Sequence, residues 1–167
     1  MKILITLFFF LASNIALAQY YPTPESVVYG QARDREAVDA LMADFVAAWS
    51  SQNAAAVSAA HAANAEWINA FGRTFRGMET LEPFLENQLF PNYPDEVSRE
   101  EMANFVETSR RYIGDEAVVI QAATSSGRGS AVAGEGRKIF FTLVLGKTEA
   151  GWRIMHQTIS DVRPRRD

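Results

Sequence analysis

Residues 65–77 read Ala65-Glu66-Trp67-Ile68-Asn69-Ala70-Phe71-Gly72-Arg73-Thr74-Phe75-Arg76-Gly77. Bulky side chains alternate as far as Phe71, Gly72-Arg73 supplies a turn, and Thr74-Phe75-Arg76 returns. The stretch predicts a β-hairpin closed off by Gly77. Alternation places Trp67, Asn69 and Phe71 on one side of it and turns Glu66 outward. Upstream, Val38, Leu41, Met42, Phe45 and Trp49 form one stripe of an amphipathic helix starting near residue 33. Asp34, Glu36 and Asp39 stand at its start, where the helix dipole favours negative charge. Asn53 is placed to cap a second, alanine-rich helix running to His61. Downstream, a third helix is predicted over 80–90, with Leu81, Phe84, Leu85 and Leu89 on one face. Pro83 falls in its first turn, where a missing N–H is tolerated, and Pro91 and Pro94 stop it.

The rest reads as strands. Segments 103–113 and 116–124 flank a Gly114-Asp115 turn, and 137–145 and 152–160 flank a turn at Glu149-Ala150-Gly151. The glycine- and serine-rich stretch 125–136 between them reads as a mobile loop. Helices gathered early and strands gathered late predict an α+β fold: three helices of the N-terminal half packed on an antiparallel sheet of about six strands.

Composition removes several function classes. The chain has 167 residues, 48% of them hydrophobic and 22% charged, ordinary values for one globular domain. A net charge of −4 gives no basic footprint for nucleic acid, so no nucleic-acid partner is expected. With no cysteine, disulfide scaffolds, thiolate metal sites and thiol nucleophiles are excluded. The two histidines, His61 and His156, do not stand at metal-ligand spacing, and no metal or cofactor is expected. Gly127-Arg128-Gly129 and Gly134-Glu135-Gly136 lie between strands rather than before a helix, which removes a nucleotide loop. Met1-Lys2, an apolar run over 3–11 and Ala16-Leu17-Ala18 predict a signal peptide over 1–18, cleaved after Ala18. The apolar run is too short to span a bilayer, so a periplasmic or secreted protein without a membrane anchor is expected. The proline-containing segment 19–32 then leads into a domain over 33–162, and 163–167 form a solvated tail.

Four passages carry a resemblance: Phe45-Val46-Ala47-Ala48-Trp49, the hairpin with its following glycine, Leu81 opening the next helix, and Gly151-Trp152-Arg153-Ile154-Met155-His156. With them the chain resembles the nuclear transport factor 2-like superfamily, in its SnoaL-like, ketosteroid-isomerase-like branch, over nearly the whole domain. The resemblance implies a cone-shaped roll, a curved sheet wrapped on three helices around an apolar cavity, and a homodimer formed through the sheet. Such domains include isomerases, cyclases, dehydratases and hydrolases as well as non-catalytic binding modules, so fold alone does not settle function. In ketosteroid isomerase an aspartate just before the turn glycine is the general base; the matching residue here is Asn69, which has no useful basicity. Its oxyanion-hole tyrosine is matched by Phe45, which has no hydroxyl to donate. A steroid isomerase of that mechanism is therefore not expected.

What is expected is a small hydrophobic molecule held in an apolar cavity. Phe45, Trp49, Trp67, Asn69, Phe71 and His156 are predicted to converge on it, with Phe75 as further wall and Arg76 at the mouth. His156 shares the parity of Trp152 and Ile154, which turns it towards the core as a candidate acid or base. His61, one turn after Val57 at the end of its helix, is the second candidate. The alternative to a binding domain is thus a metal-independent isomerase, cyclase, dehydratase or hydrolase working through His156.

Overall fold

The computed structural model describes residues 28–29, 34–129 and 136–162. The expected signal peptide, most of the lead-in segment and the tail lie outside the described residues. Helix α1, Arg35–Ser50, buries the whole predicted stripe from Val38 to Trp49. Helix α2, Ala54–Ala59, is capped by the Asn53 side chain, which accepts the Ala56 N–H. It is shorter than predicted, because His61 already opens strand β2, His61–Ile68. The hairpin forms as read, with Trp67 opposite Phe75 of β3, Thr74–Arg76.

Helix α3 begins at Met78, earlier than predicted, behind Gly77 at φ 79°, a conformation that favours glycine. Pro83 therefore sits in the second turn, where its absent N–H removes one ladder bond. The chain widens into a π-helical turn, Leu85–Leu89, and tightens into a 3-10 turn, Phe90–Asn92. A helix the sequence reading missed follows: α4, Asp95–Ala103, begun by Pro94 with Asp95 and Glu96 in its first turn.

Strands β4 (Val106–Ile113), β5 (Ala117–Gly129), β6 (Gly136–Thr148) and β7 (Gly151–Asp161) complete the sheet with β1, Val28–Tyr29. The strand order is β1-β4-β5-β6-β7-β2-β3. The sheet is mixed rather than purely antiparallel, since β1–β4 and β2–β7 pair in parallel. The stretch read as a loop is in part strand: Ser125 pairs with Lys138 and Gly129 with Gly136, and 130–135 lie outside the described residues. Glycine and serine suggested a coil there, but the long β5–β6 ladder overrides that preference.

The centre of the inner face of the sheet is apolar and covered by helices. Val118, Ile120 and Ala122 of β5 pair with Leu145, Leu143 and Phe141 of β6, and all are buried. Strand β7 carries a bulge at Met155: Leu145 pairs with Ile154, but Val144 pairs with His156. One extra residue reverses the parity of everything after it. Trp152 and Ile154 face inward before the bulge, and Gln157 and Ile159 face inward after it.

Candidate functional site

On the inner side, α1 presents Phe45 and Trp49 one turn apart, with ring centroids 6.2 Å from each other. Trp49 meets Trp67 of β2 at 6.5 Å and Phe90 edge-on at 5.6 Å. Trp67 continues the chain of rings to Phe75 at 5.5 Å and to Phe84 of α3 at 6.0 Å. Four of the predicted site residues, Phe45, Trp49, Trp67 and Phe75, are therefore brought together in one aromatic wall. Such rings give a large apolar surface with polar N–H groups at fixed points.

Two polar side chains enter this wall. Gln157, fully buried, lies in register between Leu143 of β6 and Trp67 of β2. His61 meets it: Nε2 stands 3.1 Å from the Gln157 amide, Nδ1 stands 2.8 Å from the Val57 carbonyl, and Phe45 packs edge-on against the ring. Burial pushes the His61 pKa below its ordinary 6.5, against the opposing pull of the hydrogen bond to the Val57 carbonyl. A neutral imidazole has one donor, and Nδ1–H gives it to Val57. Nε2 then has no proton to give to Gln157 Oε1, which the structure sets 3.1 Å away, so we assign the amide turned over, with its N–H₂ donating to Nε2. Among the described residues, the buried indole N–H groups of Trp49, Trp67 and Trp152 have no hydrogen-bond partner.

The other predicted residues do not join this wall. Asn69 lies past the end of β2 and builds the turn: its Oδ1 accepts the N–H of Phe71 at 3.0 Å and of Arg73 at 2.9 Å. That bonding rotates the chain, and Phe71 projects from the hairpin tip, 88% exposed. His156 faces the outer side of the sheet. The Met155 bulge undoes the parity argument and puts it in register with Glu66. Its Nε2 lies 2.7 Å from Thr158 Oγ1 and its Nδ1 lies 3.5 Å from Glu66, which also pairs with Arg76 at 2.9 Å. Arg76 borders a groove at the hairpin rather than the mouth of an inner cavity.

Sequence reasoning missed three features. Gln157 was hidden by the bulge. Glu101 of α4 is only 2% exposed and accepts from Tyr93 Oη at 2.5 Å and Ser126 Oγ at 3.1 Å. Burial raises the Tyr93 pKa, and its bond to Glu101 raises it further. The visible signal for α4 was Pro94-Asp95-Glu96, an acidic helix start. Arg110 is the third: buried on the inner face of β4, it pairs with Asp39 of α1 and with Glu107 at 2.7 Å. Two grooves flank the hairpin. One of about 380 Å³ lies between β3 and α3, and one of about 290 Å³ runs beside Ile68 and Ile159. Among the described residues no group of three or more His, Asp or Glu side chains is arranged to hold a metal ion.

The SnoaL-like domain family matches residues 38–164. An NTF2-like protein with a cystatin-like fold from Novosphingobium aromaticivorans is 18% identical, with a TM-score of 0.57, covering 79% of this chain and 84% of that one. A ketosteroid isomerase-like protein from Erwinia carotovora atroseptica is 13% identical at a TM-score of 0.57, covering 79% and 98%. LinA is 16% identical at a TM-score of 0.59, covering 77% and 86%. These likenesses establish the fold. The search of curated proteins gives no match.

Proposed function

Because the chain belongs to the SnoaL-like domain family, we propose that it binds a small, largely apolar molecule bearing one hydrogen-bond acceptor on the inner side of its sheet. One observation carries this reading: the Trp49 and Trp67 indole N–H groups are buried among aromatic rings without an acceptor among the described residues. Buried polar groups are almost always satisfied, and an acceptor on a bound molecule satisfies these. The Phe75–Phe84 pair, 4.3 Å between centroids, stands between Trp67 and the hairpin groove.

Binding is favoured over catalysis through His156, because that imidazole and the aromatic wall lie on opposite faces of the sheet. His61 is engaged at both nitrogens and held neutral, which suits a role in positioning Gln157. Export is part of the proposal, with the mature chain beginning at Gln19 in the periplasm or outside the cell. Native mass spectrometry of protein recovered from its own extracytoplasmic compartment tests both points. The expected spectrum shows a chain starting at Gln19 and carrying a non-covalent adduct that is lost on denaturation. Retained Met1 would refute export, and an adduct-free spectrum that stays so after exposure to cell lipids and metabolites would refute the binding role.

A further inference from the structure

The groove between β3 and α3 has a chemistry of its own. Its charged lining consists of Arg73 and Arg76 and contains no carboxylate, although the chain has 20 acidic residues against 16 basic ones. Arg76 is already answered by Glu66. Arg73 is not: among the described residues its guanidinium has no ion-pair partner, and its one side-chain hydrogen bond is a long one of 3.5 Å to Gln88. In this it differs from Arg99, Arg110 and Arg137, each of which has a carboxylate.

The guanidinium is nevertheless held in place. Its central carbon stands 4.5 Å from the Phe75 centroid and 5.0 Å from the Phe84 centroid, above two rings in contact at 4.3 Å and tilted by 32°. Cation–π contact fixes the plane of the fork while leaving its in-plane N–H edges for a ligand. Little side-chain freedom is then lost on binding. The turn beneath is rigid too, since Asn69 bonds both the Phe71 and Arg73 amides and Gly72 adopts a φ of 79°.

We propose that this groove is a receptor for a small organic carboxylate with a flat apolar body. Arg73 takes the carboxylate through two parallel N–H bonds, and the body lies along Phe84. A planar fork matches a carboxylate better than a point charge does, and the ring wall selects against simple inorganic anions. The site does not depend on the inner aromatic wall binding anything.

Calorimetric titration of the full protein with benzoate, and with benzamide as its neutral counterpart, tests the assignment. Benzoate is expected to bind saturably and benzamide not to bind. Arg73→Ala should weaken benzoate about ten-fold or more, Arg73→Lys should also weaken it because the fork is lost, and Arg111→Ala, on the exposed part of β4, should leave it unchanged. Arg73 is exposed at a turn, so the variants keep the fold, which circular dichroism checks. Equal binding of benzamide, full affinity in Arg73→Ala, or an equal loss in Arg111→Ala would overturn the proposal.

Discussion

Gln157 and His61 show how much one buried amide can decide. His61 bonds Val57 and Gln157 and is depressed below 6.5 by burial. On acidification through that value the unfolded chain takes up a proton that the folded chain refuses, so stability falls as pH drops below it. A thermal denaturation series from about pH 7 to about pH 5 should contain this component in the wild type and lack it in the double variant His61→Leu/Gln157→Leu. Gln157→Leu alone should cost about 1–3 kcal/mol by leaving the imidazole without its partner, and the double variant should regain most of it. At this scale the sequence was legible where periodicity rules. Phe45, Trp49 and Trp67 fall where the stripe and the hairpin put them. It was illegible where a side chain bonds its own backbone, as Asn69 does in turning Phe71 to solvent.

Among the elements, β7 holds the main lesson. Strict alternation places His156 beside Trp152 and Ile154, and one bulge residue, Met155, exchanges it for Gln157. A hint existed in the facing strand, since an isolated glycine in a strand often marks a bulge or a close approach. A Cβ on Gly146 would stand 2.8 Å from Met155 Cγ. Gly146→Ala should therefore destabilise the protein by about 1–3 kcal/mol, and Met155→Ala in the same chain should relieve part of that loss. Chemical denaturation of the four members of this cycle measures the coupling, and purely additive effects would contradict the packing. Helix α4 was missed because its apolar stripe is thin: Val97 and Met102 are joined on the buried side by Ser98 and Glu101. Its polar inner face depends on Tyr93, Thr124 and Ser126, partners that are distant in sequence or lie beyond the helix.

For the whole molecule, the α+β order was readable from helices early and strands late, whereas the parallel β2–β7 pairing was not, since it joins segments far apart in the chain. The outer face of the sheet carries Val119, Phe140 and Val144 near its centre, half-buried beside Thr142 and Thr158. We propose that a second copy covers it, as a sheet apolar on both faces requires. Val144→Asp should then shift the protein from dimer to monomer in sedimentation, and an unchanged wild-type monomer would remove the proposal. On the proposed reading the inner aromatic wall receives a small apolar molecule through the Trp49 and Trp67 indole N–H groups, which have no acceptor among the described residues. Nitrogen–proton NMR of the tryptophan indoles during titration with camphor, a compact apolar ketone, tests it most directly. Saturable movement of the Trp49 and Trp67 Nε1–H signals is expected, with no such movement for bornane, which lacks the carbonyl. Indole signals that stay fixed in camphor, or move equally in bornane, would contradict it.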